Sequence, residues 1–152
     1  MTKTGKLLNS DWETISLDEV KDWVVQGADV KAKNRVGEMP VHLASAYGRT
    51  EIVKYLVMHG SDVMARDDDY QTPLHLASEY GYTKAVMYLV EQGADTKAKD
   101  DAGNTPLDLA KERGCTEVVK YLEKAEKTLS QQRPQNALLS LAMSVQLKEH
   151  SR

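Results

Sequence analysis

The chain has 152 residues and a mass of 17.0 kDa, enough for one domain. Apolar residues make up 41% and charged residues 28%, an ordinary balance for a globular fold, and the net charge of −3 argues against general affinity for nucleic acid or anionic membrane. The single cysteine, Cys115, excludes an internal disulfide and suits a reducing compartment.

The first stretch, MTKTGKLLNSDW, carries Lys3 and Lys6 but lacks the apolar segment of a secretory signal. No run of the sequence approaches the roughly 20 apolar residues of a membrane helix. A cytoplasmic location is therefore expected by default, with the nucleus or delivery into a host cell as alternatives. After the turn signal VVQGADVKAK, EMPVHLASAYG predicts a short helix with Pro40 in its first turn and Gly48 at its end. TEIVKYLVMHG predicts a second helix, with Thr50 as N-cap, Glu51 favouring its N-terminus, and Val53 and Leu56 on one apolar face.

The same pair recurs. QTPLHLASEYG places Thr72 as N-cap, Pro73 at the first helical position, and His75 three residues after the cap, where its ring reaches back as a capping-box acid does. Thr83, Val86 and Leu89 mark the helix that follows. NTPLDLAKERG repeats the first helix, with Asp108 in the histidine slot, and Thr116, Val119 and Leu122 repeat the second. Met39 is the exception among the caps, since it has no hydroxyl to offer.

These segments share one period. Pro40, Pro73 and Pro106 stand 33 residues apart, as do Gly48, Gly81 and Gly114, and Gly27, Gly60 and Gly93. A fixed step of this length marks a repeat array. The Thr-Pro-Leu-His box with the Gly-Ala-Asp turn resembles the ankyrin repeat. The resemblance implies an all-α repeat solenoid of stacked helix-turn-helix units joined by projecting β-hairpin-like loops. Its units fall at about 5–33, 34–66, 67–99 and 100–125, in a domain covering 1–125. The first unit lacks the box, as a terminal unit whose outer face meets water is expected to. Tyr70 replaces a glycine of the family's turn in the third.

Few residues invite chemistry. His42 and His75 share one slot in successive units, so capping explains both without a metal. Cys115 has no His or Asp at a spacing that suggests a nucleophile. Asp67, Asp68 and Asp69 do not begin a calcium loop, because Thr72 and Ser78 hold the sixth and twelfth positions where Gly and an acid are required. No phosphate loop, dinucleotide fingerprint or zinc pattern is present. No enzymatic activity and no cofactor is expected. Tyr55, Tyr88 and Tyr121 share a place beside the core leucines and predict a stacked ladder between units.

Tyr47 and Tyr80 stand elsewhere, immediately before the helix-ending glycines, where repeat packing asks for no aromatic. In ankyrin proteins this shoulder and the loop tips line a concave groove that grips partners. Carried over by that resemblance, the groove holds Lys33, Arg35, Val36, Glu38 and Tyr47, then Arg66, Asp68, Asp69, Gln71, Glu79 and Tyr80, then Lys99, Asp101, Asn104, Glu112 and Arg113. The implied role is a non-catalytic protein–protein interaction module, an adaptor, scaffold or inhibitor, monomeric and without nucleic-acid or membrane partners. Two alternatives are a host-directed effector of an intracellular microbe, and a regulatory subunit acting on an enzyme through its C-terminal helix. That helix is expected within 126–152, where a polar linker precedes Pro134 and an apolar face of Leu138, Leu141, Ala142 and Val145. It either covers the last unit or docks on a partner.

Overall fold

The computed structural model describes residues 1–128, and within them every regular element is helical. In chain order these are α1 (Lys3–Leu8), α2 (Leu17–Val25), α3 (Pro40–Ala46), α4 (Thr50–Met58), α5 (Pro73–Glu79), α6 (Thr83–Glu91) and α7 (Pro106–Glu112). An eighth, α8, is helical from 116 through 128. It continues past residue 125, where the sequence reading ended the repeats. The expected amphipathic segment and most of the expected linker lie outside the described residues.

The helices form two rows. Inner helices α3, α5 and α7 pack in succession, as do outer helices α2, α4 and α6, and α3 and α5 each pack on the outer helix of their own unit, α4 and α6. Val41, Ala44, Leu74, Ala77 and Ala110 from the inner row meet Val20, Ile52, Val53, Leu56, Ala85, Val86 and Leu89 from the outer row, all essentially inaccessible to water. Small residues at Ala44, Ala77 and Ala110 let the inner helices approach closely. The core is therefore one continuous strip, and no pair of helices has a core of its own. In α8 the buried positions are Val118 and Leu122, while Val119 is half-buried, unlike Val53 and Val86. No further unit is described beyond that side of α8.

The histidines do more than cap. In His75, Nδ1 accepts the backbone N–H of Thr72 at 3.2 Å, and Nε2–H donates to the Asn104 carbonyl of the next unit at 2.9 Å. In His42, Nδ1 accepts from Met39 N–H at 3.1 Å, and Nε2 lies 3.0 Å and 3.1 Å from the carbonyls of Ala65 and Gln71. Both rings are fully buried. Asp108 performs only the first task, accepting from Thr105 N–H at 2.9 Å. Met39 leaves its half of the box unfilled, since its side chain makes no cap hydrogen bond; it packs instead against the core.

Two sequence expectations need correction. Thr50 and Thr83 are the first residues of α4 and α6 rather than caps, because Arg49 and Tyr82 occupy the cap position. The tight turn pulls the threonines inward: Thr50 N–H bonds to Gly48 O and Thr83 N–H to Gly81 O. The tyrosine ladder is also different. Tyr55, Tyr88 and Tyr121 pack against the core, but the ring of Tyr55 stacks on His59 of its own helix. Between units it is lysine that meets tyrosine, Lys21 over Tyr55 and Lys54 over Tyr88, each 5.8 Å from the ring centre.

A further set of contacts has no counterpart in the sequence pattern. The residue after each helix-ending glycine reaches back over the preceding unit. Arg49 donates to the carbonyls of Trp12, at 3.0 Å, and Ile15. The Tyr82 ring covers Gly48 so closely that an added Cβ would overlap it. Cys115 lies 3.1 Å from the equivalent point on Gly81, with its thiol directed at the Glu79 carbonyl.

Two measurements check these contacts. Gly48→Ala should destabilise the fold by at least about 1 kcal/mol more than Gly93→Ala in urea melts, because both have positive φ but only Gly48 lies under another ring. Equal costs would show that Tyr82 moves aside freely. Burial lowers the pKa of both His42 and His75 below 6.5, so the unfolded chain takes up protons that the folded chain refuses. Stability should therefore be fully present above about pH 6.5 and fall as the pH drops below it, by up to ~1.4 kcal/mol per pH unit for each histidine. His75→Gln should make the loss of stability below pH 6.5 shallower; an unchanged slope would place the titration elsewhere.

Candidate protein-binding face

Three loop tips project beside the inner helices, each closed by two backbone hydrogen bonds: Asn34 N–H to Glu38 O and Gly37 N–H to Asn34 O, Asp67 N–H to Gln71 O and Tyr70 N–H to Asp67 O, and Asp100 N–H to Asn104 O and Gly103 N–H to Asp100 O. No β-ladder forms among the described residues; the hairpin-like shape comes from these turns. The first residue of each turn also uses its side chain. Asn34 Oδ1 accepts from Val36 and Glu38, Asp67 Oδ1 from Asp69 and Gln71, and Asp100 Oδ1 from Ala102 and Asn104. Asp67 and Asp100 therefore serve the turn, while Asp68, Asp69 and Asp101 are exposed to solvent.

The tips are joined edge to edge. Asp68 N–H donates to Val36 O at 3.1 Å and Asp101 N–H to Asp69 O at 3.0 Å. Arg66, half-buried, donates to the carbonyls of Tyr70 at 3.1 Å and Lys99 at 2.7 Å. Its guanidinium thus ties the second tip to the third. The backbones of Gln71 and Asn104 accept the histidine bonds described above, so both residues are anchored at the foot of the tips. Arg35 is exposed on the first tip.

At the other end of the inner helices, Tyr47, Tyr80 and Arg113 are the equivalent C-caps of α3, α5 and α7. The tyrosines are 43% and 53% exposed. Arg113 pairs with Glu79 at 2.8 Å across the two units, and Glu112 beside it is exposed. The candidate residues therefore divide between a row of tips and a shoulder, with the length of a two-turn helix between them. Asp101 is the chief cause of a raised pKa at Asp69, with a smaller contribution from the desolvation of the site. Asp67, Asp68 and Asp100 act in the same direction, so negative charge is concentrated at these two tips.

Two residues of this surface were not among the candidates. Tyr82 stands at the shoulder, half-exposed, over Gly48. Tyr70 is 58% exposed at the second tip and sits at φ +60°, where the equivalent residues are Gly37 and Gly103 at +77° and +83°. A left-handed tyrosine is strained by about 1–2 kcal/mol. The signal was in the sequence, as the departure from glycine, but it reads as a broken turn until the exposure of the ring is known.

Among the described residues no cluster of His, Cys, Asp and Glu is arranged to hold a metal ion, and no helix is long and apolar enough to cross a membrane. Tyr70→Gly should raise the urea midpoint, the relieved strain exceeding the ~0.4–1 kcal/mol by which glycine favours the unfolded chain. A lower midpoint would mean that the ring contributes packing worth more than the strain.

The family model described as ankyrin repeats (3 copies) matches residues 15–100 and, in a second overlapping placement, 60–133. No match was found among curated proteins. Paired helices stepping every 33 residues, the buried cap histidines and this match agree, and the chain belongs to the ankyrin-repeat family.

Proposed function

We propose that this chain, like ankyrin repeats in general, is a protein–protein interaction module: a non-catalytic member that binds a partner protein across the concave face formed by the tips and the inner-helix shoulder, as an adaptor, scaffold or inhibitor. The observation that carries the reading is the exposure of Tyr47 and Tyr80 at equivalent places one unit apart. Each presents a large rigid aromatic surface, the kind of side chain that anchors protein interfaces at low entropic cost. The mechanism is display. Because the units are tied together by buried bonds, a partner meets a preformed surface and little ordering is needed on this side.

Several features support the negative parts of the proposal. The strongly placed polar residues have structural duties: His42, His75 and Asp108 cap helices, Asp67 and Asp100 hold turns, and Arg66 ties tips. The exposed acids at Asp68, Asp69 and Asp101 would repel nucleic acid and anionic lipid. The proposed setting is the cytoplasm, and the proposed state a monomer without cofactor.

The test is a partner captured from native lysate and then titrated against purified variants. Tyr47→Ala combined with Tyr80→Ala should weaken it by about thirtyfold or more, the usual cost of losing central aromatic anchors, with the melting midpoint unchanged. Asp69→Lys should alter binding chiefly at low salt, since exposed charges are screened within about 10 Å at 0.1 M. Unchanged binding by the tyrosine double variant would move the interface off this face.

A further inference from the structure

Along the row of tips, one equivalent position changes sign. It is Arg35 on the first tip, Asp68 on the second and Asp101 on the third. The backbone bonds from Asp68 to Val36 and from Asp101 to Asp69 hold these tips in register, so the row is a continuous edge with a basic end and an acidic end. At the basic end, the last turn of α1 and the first tip enclose an open groove of about 670 Å³. Its lining is Leu8, Asn9, Lys33, Asn34, Arg35 and Val36. Val36 is 54% exposed there, and Leu8 is half-buried.

The cations of this groove are unspent. Among the described residues neither Lys33 nor Arg35 enters an ion pair. The contrast with the next unit is direct: Arg66, the residue equivalent to Lys33, is committed to two carbonyls. Glu38, the acid nearest in sequence, is engaged by the Asn34 side-chain amide at 3.1 Å. The groove thus combines two free positive charges with an aliphatic wall on each side.

We propose that this groove receives an acidic segment of a partner protein, with one apolar side chain seated between Leu8 and Val36 and carboxylates facing Lys33 and Arg35. The inference rests on the protein-binding reading and names the chemistry of the partner at one end of the edge. An extended polyanion fits less well. A nucleic acid or an anionic membrane following the edge would meet Asp68, Asp69 and Asp101 in the next two units. A polypeptide does not have this difficulty, because its charge can change along its length as the edge does. The apolar side chain supplies affinity, and the exposed charges supply orientation and on-rate.

The test uses the full chain and a display library of random peptides, selected at low ionic strength. Enriched peptides are then synthesised with a fluorescent label and titrated by anisotropy against the parent, Lys33→Glu/Arg35→Glu, Val36→Asp and Tyr47→Ala/Tyr80→Ala. All altered side chains are exposed or half-exposed, and thermal melts verify that each variant folds. The expected result is enrichment of Asp and Glu around a single apolar residue. Charge reversal should weaken such peptides about tenfold or more, Val36→Asp should also weaken them, and the tyrosine variant should bind like the parent. Enrichment of basic peptides, or binding that survives both the charge reversal and Val36→Asp, would overturn the inference. If selected peptides lose binding only in the tyrosine variant, this groove is not their site while the concave-face reading stands. No enrichment at all would overturn the inference and count against recognition of short segments by the concave face.

Discussion

A buried imidazole with two partners holds this molecule together. One nitrogen must accept the N–H at the start of its own helix, and the other must donate to a carbonyl in the next unit's loop. Only the neutral Nε2–H tautomer does both. An unpaired polar group in so buried a place costs roughly 1–3 kcal/mol, so each partner depends on the other. The histidine therefore couples helix initiation to the stacking of units, which neither helix propensity nor apolar burial does alone. In the unit that begins at residue 100 the histidine slot holds aspartate instead. Asp108 retains the cap, and no further loop is described for it to reach.

The stack's rigidity decides what is free to act. Once Asp67 and Asp100 are committed to turns and Arg66 to its two carbonyls, the side chains left over include Lys33, Arg35, Val36, Asp68, Asp69 and Asp101 at the tips, and Tyr47 and Tyr80 at the shoulder. Tyr70 joins them on grounds of strain and exposure. These residues lie far apart in the chain and come together only because the period sets equivalent positions side by side. A surface of this kind has no single motif. It is an edge whose charge and aromatic content vary from unit to unit while the backbone repeats.

That distinction explains which parts of the molecule could be read in advance. The Thr-Pro-Leu-His box, the glycines and the alternating apolar stripes each correspond to one local requirement, so their residue types recur and the repeats are legible. The contact made by Arg49, Tyr82 and Cys115 recurs too, but three unlike side chains perform it, one by hydrogen bonds, one by covering a glycine and one by a thiol. No pattern of residue types signals it. Thr50 and Thr83 misled for the opposite reason: their identity suits a cap, yet the turn before them places the cap one residue earlier. The tyrosines of the outer row were rightly placed against the core, while the lysines that cover them sit 34 residues upstream and look like ordinary surface charge. The candidate face was legible only through the family resemblance, because exposure and charge register depend on the stacked structure.

The most direct measurement is nitrogen-15 NMR of the imidazoles in the full chain across pH 7 to 5. Both His42 and His75 should appear as the neutral Nε2–H tautomer at pH 7, with their Nε2 protons protected from exchange, and both should titrate below pH 6.5. The opposite tautomer, or protonation at pH 6.5 as in a free side chain, would contradict the coupling of cap to neighbouring unit on which the rigid face depends.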